Sequence, residues 1–92
     1  MALEFRWDPE KAAANLRKHN VSFEDAATAF GDPHSITIPD PDHSSAEHRL
    51  LLIGTTKRSL LVVVAHTERG DTIRIISARR ATRSERATYE EE

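Results

Sequence analysis

The sequence predicts an α+β fold in which two N-terminal helices pack on a four-stranded, largely antiparallel sheet, with a short helix at the C-terminus. Three observations carry this reading. Apolar residues in the first third recur at helical spacing between capping residues. From Ser35 onward the period changes to the alternation of strands. Near the end, Thr82-Arg83-Ser84-Glu85 has the form of a capping box.

Phe5 and Trp7 mark a short opening strand, and Asp8-Pro9-Glu10 follows it. An aspartate can satisfy an orphan backbone amide and a proline suits the first helical position, so a helix is expected from Pro9 to about His19. Asn20 tolerates the left-handed conformation that often ends a helix. Ser22-Phe23-Glu24-Asp25 resembles a second cap, with Asp25 in place of the usual glutamate. Phe23, Ala26, Ala27 and Phe30 then keep helical spacing up to Gly31. Ser35 to Ile38 alternates as a half-buried strand does, and Pro39-Asp40-Pro41-Asp42 reads as an exposed loop. Arg49–Thr56 and Leu60–Thr67 are strands joined by the turn Lys57-Arg58-Ser59. Glu68-Arg69-Gly70-Asp71 turns the chain into a further strand, Thr72–Arg79. Such short connections make the last three strands an antiparallel meander.

Ninety-two residues give one domain, residues 1–92, with no repeat or linker. There are no cysteines, which removes disulfides and thiolate metal sites and fits a reducing compartment. Charge interrupts the N-terminus at Glu4 and Arg6, unlike a signal peptide, and the apolar runs 50–53 and 60–65 are too short to span a bilayer. A cytoplasmic protein without membrane contact is expected. The net charge of −2 conceals an asymmetry: residues 1–48 carry −5, residues 49–86 carry +6, and the last six carry −3. A basic segment of this kind suits contact with phosphates, although the acidic half could repel nucleic acid.

Chemistry-bearing residues fall into three groups. On the first helix, Lys11, Asn15 and Lys18 sit at i, i+4 and i+7 with His19 at the edge, a polar stripe that is either a solvated surface or an array of phosphate donors. Ala12, Ala13 and Leu16 occupy another face and are expected to meet the sheet. The second group is Arg74, Arg79 and Arg80. Arg74 lies between two isoleucines, and a guanidinium that cannot lose its proton must reach solvent, an acid or a ligand. Strict alternation puts Arg74 and Arg79 on opposite faces unless a bulge intervenes. The third group is Glu47 with Arg49, two apart and so on one face, where a surface ion pair is the ordinary explanation. Of the histidines, His34 and His43 fall in or beside loops, and His48 and His66 near strand ends. Asp40, Asp42 and His43 could ligate a metal, but no convincing further ligand accompanies them, and neither metal nor cofactor is expected. There is no glycine-rich phosphate loop and no nucleophile elbow.

Taken together, Phe5-Arg6-Trp7-Asp8-Pro9-Glu10-Lys11, Asn15 through Phe23, Ala26 through Asp32, Glu47 and Arg49 leading into Leu52-Ile53-Gly54, and Arg74 through Thr82 resemble the BrnT family of toxins. The resemblance runs from Phe5 to about Tyr89. Asn20 stands where the family commonly shows glycine, a conservative departure at a left-handed position. The resemblance implies a fold related to RelE-type toxins and metal-independent RNA cleavage that inhibits translation and growth. It also implies a BrnA-type antitoxin with a ribbon-helix-helix domain, through which alone operator DNA would be bound. In that frame the catalytic residues are Glu47, Arg49, Arg74, Arg79 and His19. Lys11, Asn15, Lys18 and Arg80 bind RNA. RelE-type ribonucleases use the RNA 2′-hydroxyl as nucleophile, so the protein must deprotonate it and stabilise an anionic phosphorane. The arginines suit the second task, and Glu47 or His19 the first. The alternatives are a non-catalytic module whose basic face docks a protein or DNA, and a toxin that folds and binds its antitoxin but no longer cuts.

Overall fold

A computed structural model describes residues 2–41 and 48–91. The chain forms β1 (Glu4–Arg6), α1 (Pro9–His19), α2 (Phe23–Thr28), a 3-10 turn (Ala29–Gly31), β2 (Ile36–Pro39), β3 (Leu50–Thr55), β4 (Leu61–Arg69), β5 (Thr72–Arg80) and α3 (Arg83–Glu90). The expected caps form. The Asp8 carboxylate accepts from the Glu10 amide at 2.8 Å, the Ser22 hydroxyl from the Asp25 amide at 3.0 Å, and Thr82 and Glu85 close a reciprocal capping box. Asn20 adopts φ 58°, the left-handed geometry anticipated at the end of α1.

The sheet has five strands in the order β1-β5-β4-β3-β2, not four. The extra member is β1, which pairs parallel with β5 (Glu4 with Thr72, Arg6 with Arg74) and makes the sheet mixed. Parallel pairing joins segments far apart in sequence, so no turn announces it. The expected strand 35–38 also runs on. Pro39 pairs with Leu50, and the Asp40 amide donates to the Arg49 carbonyl at 2.9 Å. A proline fits here because β2 is an edge strand. The β4–β5 connection is shorter than expected, with Gly70 at φ 59° in a two-residue turn.

Both faces of the sheet are covered in part. On one face Val21, Phe23, Ala26 and Ala29 pack on Leu52, Val62, Val64, Ile73, Ile75 and Ala78, all buried. The aromatic pairs Trp7–Phe23 and Phe5–Phe30 close its margin edge-to-face. On the other face a smaller cluster of Ile53, Leu61 and Val63 packs against Leu51, Ala81 and Tyr89, which brings α3 over one end of the sheet. Gly54 marks a close approach of the 3-10 turn to the sheet: a Cβ there would stand 3.1 Å from the Ala29 carbonyl oxygen.

The seating of α1 differs from expectation. Asn15 is 7% exposed and Leu16 is 46% exposed, so the inward side of α1 is Ala12, Asn15 and His19, and not Ala13 and Leu16. The Asn15 amide nitrogen donates to the carbonyls of Ala78 (2.8 Å) and Val21 (3.0 Å), and its oxygen accepts from the Ala78 amide (3.1 Å). One side chain therefore ties α1 to β5 and to the loop before α2, satisfying backbone groups that burial would otherwise orphan.

Candidate functional site

A register shift between Ala65 and His66 decides which arginines meet. Ala65 pairs with Ser77 but His66 pairs with Ile75, so Ile76 is the extra residue of a β-bulge. Ile73, Ile75 and Ala78 consequently all face the helices α1 and α2. Arg74 and Arg79 then share the opposite face, the conditional outcome that strict alternation denied. Arg79 pairs with Val63, a member of the cluster beneath α3, which fixes the side. Arg49 directly precedes Leu50, and alternation sets it on the same side as Leu51 and Ile53. Arg6, paired in register with Arg74, joins them from β1, although it carries an exposed ion pair to Glu4 at 3.1 Å. The face thus presents four arginines, one from β1, two from β5 and one from just before β3, with Ser77 and Thr67 among them.

Their environments differ. Arg74 is exposed and has no side-chain partner among the described residues. Arg49 is half-buried. Arg79 is gripped by Glu85 of α3 through two parallel bonds, 2.7 and 2.8 Å. That hydrogen-bonded guanidinium, against opposing burial and with help from the Thr82 amide, holds the Glu85 carboxyl at about 2, well below its ordinary value. Arg79 in turn is held more firmly in its charged form by Glu85.

A second polar network anchors the far end of α3. Tyr89 donates to Asp32 at 2.6 Å and accepts from Thr55 at 3.2 Å, while Asp32 also takes the amides of Thr55 (2.8 Å) and His34 (2.9 Å). Burial pushes the Asp32 carboxyl up. The hydrogen bonds from Tyr89, Thr55 and His34 outweigh it, with the His34 charge, and leave it below the usual carboxylate range. The same contact to Asp32 raises the Tyr89 phenol.

The remaining expected site residues lie elsewhere. Lys11 and Lys18 are exposed on α1 and His19 is half-buried at its C-terminal end, on the side of the sheet away from Arg74 and Arg79. Asn15 is corrected from a surface donor to an internal clamp, because its amide is committed to backbone groups. Arg80 pairs with Val62 and so faces the helix side, exposed. Glu47, Asp42 and His43 lie outside the described residues. Asp40, the remaining member of that loop trio, is buried.

Three features escaped the sequence reading. Arg6 contributes to the arginine face because β1 pairs in parallel. Glu85, read only as a cap, also binds Arg79. His66 is fully buried, its ring nitrogens 3.1 Å from the Val64 carbonyl and 3.0 Å from Glu68, with Phe30 edge-on at 4.8 Å. The signal for His66 was present, since Val62, Val64 and His66 continue one alternation.

Residues 7–85 match the family model described as the ribonuclease toxin, BrnT, of type II toxin-antitoxin systems. Among solved structures, the chain is similar to the 1.1 Å crystal structure of the Brucella abortus ribonuclease toxin BrnT, at 24% identity and a TM-score of 0.68. The match covers 89% of this chain and 100% of that one, and it shows a shared fold. No curated protein sequence matches the chain.

Proposed function

The chain belongs to the BrnT family of ribonuclease toxins of type II toxin-antitoxin systems, and on that premise we propose that it is a metal-independent endoribonuclease working on the arginine face of its sheet. The observation that carries the proposal is the bulge at Ile76, which sets Arg74 and Arg79 on one face beside Arg49. Guanidiniums sharing one face of the sheet are suited to stabilising an RNA 2′-hydroxyl attack on a phosphate bound there. The 2′-oxygen forms a bond to the adjacent phosphorus, negative charge accumulates on the phosphorane oxygens, and the bond to the 5′-oxygen breaks. Preorganised donors aimed at that charge supply the largest share of such a rate enhancement, typically about 10²–10³ per donor. No redox partner and no Lewis acid is needed for this displacement. Its products are a 2′,3′-cyclic phosphate and a free 5′-hydroxyl.

We assign removal of the 2′-proton to Glu47, which stands two residues before Arg49 in sequence. His19 is set aside because α1 lies on the other side of the sheet. The 5′-oxygen takes its proton from water at this exposed face. Lys11, Lys18 and Arg80, on the helix side, guide the RNA backbone away from the cleaved bond. The cleavage would inhibit translation and growth, and a BrnA-type antitoxin with a ribbon-helix-helix domain would neutralise it and alone contact operator DNA.

Inducible expression in bacteria tests the proposal. Growth arrest relieved by coexpression of a BrnA-type antitoxin, and abolished by Arg74→Ala, is the expected result. Unimpeded growth with folded wild-type protein would move the assignment to a toxin that no longer cuts.

A further inference from the structure

On the helix side, a cleft of about 290 Å³ opens between the end of α1, the start of α2, the β3–β4 turn and the end of β5. Leu16, Leu60 and Val21 form its apolar wall, and Asp25, Arg58 and Arg80 its charged groups. Its volume is at the small end of the ~300–1,000 Å³ range of small-ligand sites, room for one nucleotide. Neither the two guanidiniums nor the Asp25 carboxylate has a side-chain hydrogen-bond or ion-pair partner among the described residues. Leu16, 46% exposed, is one of only three large apolar side chains so exposed among the described residues, and it borders this cleft.

Arg79 and Arg80 are consecutive and point to opposite faces, and Arg58 belongs to the turn at the same end of the sheet. The arginine face therefore continues around the end of β5 into the cleft. Resting on the ribonuclease reading, we infer that the cleft is a subsite for a nucleotide flanking the cleaved bond. Its phosphate lies on Arg58 and Arg80, and its base lies against Leu16 and Leu60 with an N–H edge donating to Asp25. A single-stranded RNA is favoured over an acidic peptide on two grounds. Phosphates recur along a strand, so a chain passing Arg79 meets a cation at each step. Asp25 repels a carboxylate ligand but accepts from the amino or imino edge of an unstacked base. Guanine, which offers both N1–H and the 2-amino group, is the best-matched base.

The test uses the full chain and two RNAs: a fluorescent single-stranded oligonucleotide made uncleavable by 2′-O-methyl groups, and its cleavable counterpart. Arg58→Ala and Arg80→Ala should each weaken binding about 5- to 10-fold and lower the slope of log affinity against log salt by about 0.7, one phosphate contact on a single strand. On the cleavable RNA, KM should rise by a similar factor while kcat changes less than twofold. Asp25→Asn should reduce the preference for guanine over inosine, which lacks the 2-amino group. Arg58→Glu, in an exposed turn, provides a second variant should either alanine variant fold poorly. Unchanged RNA affinity in folded Arg58 and Arg80 variants, with cleavage intact, overturns the subsite. Loss of antitoxin binding alone in those variants also overturns it and assigns the cleft to the antitoxin. A wild type that yields no cyclic phosphate overturns the ribonuclease reading, a separate result from either.

Discussion

Glu85→Gln removes the charge from the Arg79–Glu85 pair while keeping an acceptor for the Thr82 amide, so the capping box survives and the ion pair does not. The carboxyl lies at about 2 rather than 4.5. At about 1.4 kcal/mol per pKa unit that shift sets an upper bound of roughly 3–4 kcal/mol. The Arg79 side chain is 38% exposed and that of Glu85 24%, so solvent screening reduces the expected loss to about 1–2 kcal/mol. The pH dependence follows from the direction of the shift. Folding lowers this carboxyl's affinity for a proton, so its contribution is complete above about pH 4.5 and is lost as pH falls towards 2. Urea denaturation followed by circular dichroism, at pH 7 and pH 3, measures both. The variant should lose about 1–2 kcal/mol at pH 7 and less than half of that at pH 3. Equal losses at the two pH values, or none at pH 7, would refute the assignment of the low carboxyl value to the ion pair.

Four further outcomes are expected. Asn15→Ala should destabilise the fold by about 3 kcal/mol, three buried bonds at roughly 1 kcal/mol each, seen as a Tm lowered by roughly 12–24 °C. Gly54→Ala should cost about 1–3 kcal/mol, because the new methyl would sit 3.1 Å from the Ala29 carbonyl; an unchanged Tm would show that the 3-10 turn can retreat. Asp32→Asn should lower the Tyr89 phenol titration, followed by ultraviolet absorbance, since the Asp32 hydrogen bond raises it. In wild type the tyrosine's contribution to stability is complete below about pH 10 and falls as pH rises through its higher folded value. Arg74→Ala, at an exposed position, should reduce RNA cleavage by about 10²–10³ with Tm within 2 °C of wild type.

Locally encoded features were readable from the sequence. Asp8, Ser22 and Thr82 declare their helices through bonds to amides two or three residues away, and Asn20 ends α1 with its own backbone preference. Non-local features were not. The pairing of β1 with β5 brings Arg6 beside Arg74 across 68 positions, with no turn between them to signal it. A bulge is the condition for uniting Arg74 with Arg79, but nothing in the run Ile75-Ile76-Ser77-Ala78 marks which residue is extra. The helical spacing of Lys11, Asn15 and Lys18 suggested one polar face. Asn15 is drawn inward because Ala78 and Val21 need its amide, and Leu16 is thereby left outside. Hydrophobicity alone ranks these two residues the other way. Arg74, Arg79 and Arg80 stand out in the sequence as one group, yet their division between the two faces depends on the register of β4 and β5.

The most direct test of the arginine face is the chemistry of its product. Purified chain is incubated with a single-stranded RNA in excess EDTA, and the fragments are analysed by mass spectrometry, alongside a substrate carrying 2′-deoxyribose at the cut site and the Arg74→Ala variant. The account predicts 2′,3′-cyclic phosphate and 5′-hydroxyl ends, no cutting at the deoxy position, and a strongly reduced rate in the variant. Fragments with 5′-phosphate ends that appear only when magnesium is supplied would contradict it.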